Sequence, residues 1–309
     1  MTGERSLRAA LDALADSIVV RGFGPAGHAA TDTDVATDTD ADTDTDADTA
    51  SDGDSHPAGA SAVPAHVDAT AVFAAVELGD ATGDAVAAVD ALAPDTLGVV
   101  VAAVPDGGLN QEAWAALRDL RAAADAVVLV GGHGDAETAL RAGVAVLRDI
   151  VEGVGVVNLD LADLRTVLGD HDLAVLASGH ADPGDANAAV VGRTLDAAPP
   201  GFGFAQAPTV LVHVVGGPGV TVETAGDVVA GVRERVASDA HLIWGATVED
   251  DRDPDALDLT VVVGGVEPLA GPDDPCPRCG TPLVGYSLGE RSTTFCESCG
   301  YTGVERSLR

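Results

Sequence analysis

The chain of 309 residues has no lysine: all 16 basic residues are arginine, set against 50 aspartates and glutamates. The net charge of −34 argues against sequence-independent nucleic-acid binding, which neutralises phosphates with surface cations. A GC-rich genome explains missing lysine but not the carboxylate excess. An acidic, lysine-free surface suits a high-salt, halophilic cytoplasm, where the Debye length shrinks to about 3 Å or less. Aromatic residues are scarce too, at 3%, so cores must be assembled from many short side chains, and 46% apolar residues suffice for that. Long hydrophobic runs are missing. Leu97 to Val104 is the longest and falls far short of the roughly 20 residues that span a bilayer. The opening residues lack the basic start and continuous apolar core of a secretory signal, so a cytoplasmic location is expected.

Cysteine is rare, and its placement is informative. The four cysteines form two knuckles, Cys276-Pro-Arg-Cys279 and Cys296-Glu-Ser-Cys299, sixteen residues apart. In a reducing compartment this spacing makes a tetrahedral, structural Zn²⁺ site, because four thiolates leave no open position for substrate or water. A redox dithiol is the alternative. The charges from Asp273 onward nearly balance, which suits docking to a protein partner better than reading nucleic acid.

Most of the chain alternates apolar strand patterns with amphipathic helix patterns, which implies an α/β fold with a parallel sheet covered on both faces. The strand pattern at residues 17–20 leads into Gly22-Phe-Gly24-Pro-Ala-Gly27-His28. Its three glycines would let a backbone approach a phosphate, although an ordinary turn fits as well. From residue 31 to 65 the sequence is rich in Asp, Thr and Ala, with ten Asp between 31 and 54 and no periodic apolar face. Such a segment reads as disordered linker, or, less simply, as an array of hard-cation ligands. A second turn, Gly79-Asp-Ala-Thr82-Gly83-Asp84, again precedes a helix pattern. Helix patterns are predicted over 85–92, 111–124, 136–151, 185–198 and 222–237. In the last of these Val222, Ala225, Val229, Val232 and Val236 form one apolar stripe. His213 and Trp244 lie in strand patterns and are expected to be core residues.

The run Asn158-Leu-Asp160-Leu-Ala-Asp163 puts an amide and two carboxylates at the mouth of a predicted helix. This is the spacing of a capping box and equally of a catalytic loop. The run resembles the synergy loop of the FtsZ/tubulin family, and the following elements up to Val266 resemble the family's second domain in order. The resemblance implies a reduced Rossmann-like GTPase-type domain over 1–151, carrying the 31–65 insert and ending in the core helix. An α/β domain of the FtsZ C-terminal type over 152–268 and a zinc ribbon over 269–309 would follow. It assigns nucleotide contacts to Gly22, Gly24, Gly27, Gly79, Thr82 and Gly83, and catalytic positions to Asn158, Asp160 and Asp163. By register His133 and Glu137 occupy the guanine-recognising places.

Departures from the family pattern change the expectation. Pro25 removes an N–H donor, Asp80 and Asp84 stand where phosphates should sit, and the elements expected between residues 31 and 65 are missing. In FtsZ filaments the synergy loop of one subunit completes the nucleotide site of the next. A chain that keeps the loop and loses much of the pocket is therefore expected to have little or no GTPase activity, to hold GTP and Mg²⁺ poorly, and to bind or cap tubulin-like filaments of an FtsZ-like partner. The alternatives are a working GTPase with a pared-down pocket, and an adaptor acting through its zinc ribbon.

Overall fold

The computed structural model describes residues 18–31, 71–105, 108–131, 135–169, 171–181, 185–288, 291–303 and 306–307. The 31–65 insert, apart from Thr31, and His133 lie outside the described residues. The elements are β1 (Ile18–Phe23), α1 (Gly24–Thr31), β2 (Ala71–Glu77), α2 (Thr82–Asp90), β3 (Leu97–Ala103), α3 (Gln111–Ala123), β4 (Ala126–Val130), α4 (Ala136–Glu152) and α5 (Leu161–Leu168). They continue with β5 (Leu173–Ala181), α6 (Asn187–Asp196), β6 (Phe202–Gly203), β7 (Thr209–Gly216), α7 (Val222–Arg233), β8 (His241–Val248) and β9 (Leu257–Gly264). The last elements are β10 (Glu267–Pro268), β11 (Val284–Leu288), β12 (Arg291–Phe295) and β13 (Arg306–Ser307).

Eight strands form one sheet in the order β1-β2-β3-β4-β5-β9-β7-β8. The central strands read as unbroken apolar runs because helices cover both faces: β3 and β4 are buried at every position. Along β3, Val99, Val101 and Ala103 pack with Leu140, Val144, Leu147 and Ile150 of α4, while Val100 and Ala102 pack with Leu117 and Leu120 of α3. One face carries α1, α4 and α5, and the other carries α2, α3, α6 and α7. Burying the five large apolar side chains of α4 contributes roughly 8–15 kcal/mol before entropy is counted.

The boundary drawn from the sequence at residue 151 does not divide two sheets. β4 pairs with β5 in parallel, Val127 opposite Leu173 and Leu129 opposite Val175, so strands from both halves share one sheet. Arg121 of α3 adds a bidentate bond to Asp172, at 3.0 and 2.9 Å, at the start of β5. The helix read from the sequence as a connector between domains is α4, which lies along one face of this sheet. β9 runs antiparallel to both β5 and β7, and β8 is the far edge. On that edge Trp244 is half-buried and packs against the core, and His213 on β7 is 7% exposed. Among the described residues no helix is long and apolar enough to cross a membrane.

Candidate functional site

Helix α4 has a polar site at each end. Its 17 residues separate them by about 25 Å.

At its N-terminal end the carboxyl ends of β1 and β2 open onto a crevice, because α1 and α2 leave for opposite faces of the sheet. The glycines of the first turn divide here by role. A Cβ on Gly22 would lie 2.1 Å from the carbonyl oxygen of Gly27, and one on Gly27 would lie 2.3 Å from that of Ala75. Those two glycines let α1 press against β1 and β2. Gly24 opens α1 at φ +69°, and the space beside it is filled by Asp80, whose Oδ2 lies 2.9 Å from where a Cβ on Gly24 would stand.

The second turn holds Gly79 at φ +96° and Ala81 at φ +45°. A left-handed alanine is strained, and here it sits at the head of α2 without a side-chain cap. Gly79, Thr82 and Gly83 face a groove of about 570 Å³ between α2 and α3, with Asp90, Glu112 and Asp119. Asp80, which lies beside Gly24, instead borders a crevice of about 680 Å³ that Pro25, Glu77, Asp135 and Glu137 also line. The six residues read as nucleotide contacts are therefore not brought to one pocket.

The crevice is acidic. Asp135 caps α4 by accepting from Thr138 N at 2.8 Å, and that backbone hydrogen bond holds its carboxyl below the usual range. Glu137 pairs with Arg141 at 2.6 Å, and Arg141 also donates to Ala29 O at 2.8 Å, tying α1 to α4. Glu77, Asp80, Asp135 and Glu137 give the lining four carboxylates, which repel a polyphosphate.

The other end of α4 leads into the loop 153–160, which is stitched to the edge strand. Val157 and Ala246 exchange backbone bonds of 3.1 and 3.0 Å, and Leu159, 6% exposed, seats against Gly245. Asn158 Oδ1 accepts from Gly155 N at 2.7 Å. Asp160 Oδ1 accepts from Ala162 N and Asp163 N at 2.8 and 2.9 Å, and Asp163 Oδ2 accepts from Asp160 N at 3.1 Å. This is a complete capping box. It uses one oxygen of each carboxylate and leaves Asp160 Oδ2 and Asp163 Oδ1 without a partner among the described residues. Cap and presented acid pair are thus the same geometry, with Asn158 and Asp160 exposed beside it.

Sequence reasoning missed what surrounds this loop. Val154, Val156 and Val222 are 68%, 64% and 65% exposed, large apolar side chains left to solvent near this loop. Val156, Val222 and Trp244 border a small apolar cleft of about 70 Å³. The signal available was the alternation Val154-Gly-Val156 between the end of the helix pattern and Asn158.

The four cysteines meet as their spacing requires. Sγ atoms lie 3.6 Å apart for Cys276 and Cys299 and 3.4 Å for Cys279 and Cys296, and all four fall within 4.8 Å of one another. Tetrahedral thiolates at about 2.3 Å from zinc stand about 3.8 Å apart, so the donor set fits that ion. The knuckles repeat one turn: Gly280 N bonds Cys276 O and Gly300 N bonds Cys296 O, both at 2.9 Å, with the glycines at φ +76° and +73°. Contact with Thr281 holds the Cys279 thiol down at about 6.

Fold and cysteine cluster together define an FtsZ-like α/β sheet with a zinc ribbon appended. Residues 173–267 match the C-terminal domain of the FtsZ family, and residues 273–299 match the zinc finger found in FPG and IleRS. Cell division protein FtsZ 1 of Halobacterium salinarum is 31% identical over 215 residues, 62% of this chain and 54% of that protein. Its counterpart in Archaeoglobus fulgidus is 29% identical, covering 64% and 60%. The chain thus spans little more than half the length of these curated relatives. A solved FtsZ variant from M. jannaschii aligns at TM-score 0.57 and 25% identity, covering 64% of this chain and 66% of that one. The fold is also that of CetZ2 from Haloferax volcanii, solved as a GTPγS-bound protofilament, at TM-score 0.53 and 20% identity, covering 66% and 67%. These matches assign residues 173–267 to the C-terminal domain of the FtsZ family and give the sheet the fold of FtsZ structures.

Proposed function

We propose that this chain is a filament-binding member of its family with little or no GTPase activity of its own. It docks on, or caps, filaments of a nucleotide-holding FtsZ-like partner through the face bearing Asn158, Asp160 and Asp163. The carrying observation is the inequality of the two ends of α4. One end has a carboxylate, Asp80, in the space beside Gly24, within an acidic crevice. The other presents an acid pair with free oxygens on an anchored loop, beside exposed valines. With about 25 Å between them, the acid pair cannot serve its own crevice. Against a partner's nucleotide, Asp160 and Asp163 position the attacking water and Asn158 orients the phosphate side. Zn²⁺ held by Cys276, Cys279, Cys296 and Cys299 has a structural role, and the ribbon offers a further protein-docking surface. A cytoplasmic, high-salt setting fits the surface charge.

The test is substoichiometric addition to an active FtsZ, reading GTP turnover and polymer length. The wild type is expected to shift both, and Val156→Asp to abolish the shift by placing a charge in the contact. Unchanged turnover and length with the wild type would overturn the proposal.

A further inference from the structure

The seam between α3 and the zinc ribbon holds an open cavity of about 330 Å³, bordered by Arg118, Arg121, Asp172, Glu267, Arg278 and Tyr301. Three arginines converge there, in a chain with only 16 basic residues and a net charge of −34. Arg121 is committed to Asp172 by its bidentate bond. Arg118 is not: its Nη1 is buried without a hydrogen-bond partner, and its Nη2 lies 3.2 Å from where a Cβ on Gly280 would stand. The Tyr301 hydroxyl is likewise buried and unpartnered, on a side chain only 8% exposed. Arg278, from the first knuckle, is exposed at the rim with no ion pair among the described residues.

Buried donors without acceptors are costly, and the two side chains that carry them, Arg118 and Tyr301, both border this cavity, together with the carboxylates of Asp172 and Glu267. The donors come from three elements in different directions: α3, the first knuckle and the residue after the second. A carboxylate, planar with two oxygens, would be satisfied by one guanidinium fork. Three converging donor groups, two of them cationic, match a tetrahedral anion better. We propose that this seam is a phosphate site, taking inorganic phosphate or the phosphoryl group of a small phosphomonoester. Arg118 and Tyr301 form its floor and Arg278 its rim. Because its donors come from both the sheet domain and the ribbon, bound phosphate fixes one against the other. The site is separate from the crevice and the loop at the two ends of α4.

Zinc-loaded full-length protein is titrated calorimetrically with inorganic phosphate, glycerol 3-phosphate and acetate in about 2 M KCl. Binding of inorganic phosphate is expected on the order of 0.1–1 mM. Arg278→Gln, at an exposed position, and Tyr301→Phe, which keeps the ring, are each expected to weaken it about 10-fold, and Arg118→Gln more, with zinc content unchanged. Glycerol 3-phosphate binding as well as inorganic phosphate identifies an ester headgroup as an allowed source, while its exclusion restricts the site to the free ion. No phosphate binding up to about 50 mM, equal binding by all variants, or acetate binding as tightly as phosphate would overturn the proposal.

Discussion

Replacing Asp80 by glycine tests whether its own carboxylate keeps this chain from holding a nucleotide. Asp80 Oδ2 stands 2.9 Å from the Cβ position of Gly24 at the first residue of α1, where a phosphate would approach the helix N-terminus. A phosphate oxygen over that terminus would lie about 4 Å from the carboxylate, a repulsion of about 1 kcal/mol in water and about 4 kcal/mol at an effective dielectric of 20. Asp80 is exposed, and molar salt screens it further, so the lower part of that range applies. Asp80→Gly is therefore expected to tighten GTP and GDP binding by about 1–2 kcal/mol, or roughly 5- to 30-fold. It would not reach the affinity of an open pocket, because Glu77, Asp135 and Glu137 remain. The assay is calorimetry with Mg²⁺ in about 2 M KCl, with Asp80→Ala as the variant that removes charge without freeing the backbone. Wild-type binding tighter than roughly 10 μM, about −7 kcal/mol, would refute the reasoning and favour a working GTPase. So would a wild-type affinity that neither substitution changes.

Gly27→Ala is expected to destabilise the fold by at least about 2 kcal/mol, since the new methyl would lie 2.3 Å from the Ala75 carbonyl; an unchanged denaturation midpoint would mean that α1 does not pack as described. Asp160→Ala should cost about 1 kcal/mol of stability through the lost cap, whereas Asp160→Asn should cost little. If Asp160→Asn nevertheless loses the effect on a partner's GTP turnover, the charge acts beyond the cap; if it keeps the full effect, the acid pair has only a structural role. One zinc per chain is expected by metal analysis. Chelation should unfold the ribbon, whose small core of Ala270, Leu283 and Tyr301 is separate from the sheet, while far-UV circular dichroism of the sheet domain persists. Four freely reactive thiols in a folded, zinc-replete sample would exclude the metal site.

The parts of this fold legible in the sequence are those with a local signature. The apolar stripe of α4, the buried runs of β2 to β4 and the two cysteine knuckles all lie where periodicity and spacing put them. The joining of the two halves was not legible. Val127 to Leu129 and Leu173 to Val175 are uniformly apolar, and a strand buried on both faces carries no alternation to name its neighbour. Trp244 packs against the core as its strand pattern indicates, but nothing in that pattern marks β8 as an edge strand bridged by Val157. The glycines of the first turn show a subtler limit. Gly22 and Gly27 demand close backbone approach, as a phosphate loop would, yet the approaching group is the protein's own carbonyl. Absence of a Cβ says that something comes near, not what.

On the proposed capping reading, the two ends of α4 also decide which filament end the chain acts on. A filament built head to tail exposes a nucleotide at one end and a loop face at the other. A subunit whose loop face is intact, but whose crevice carries Asp80 and three further carboxylates, can join only the end that offers a nucleotide. Having joined, it presents the next subunit with a crevice that repels polyphosphate, so growth stops there while the opposite end is untouched. One molecule per filament is then enough, which is why a substoichiometric effect is the mark of this arrangement. Inhibition that needs a one-to-one ratio with free subunits would instead indicate sequestration.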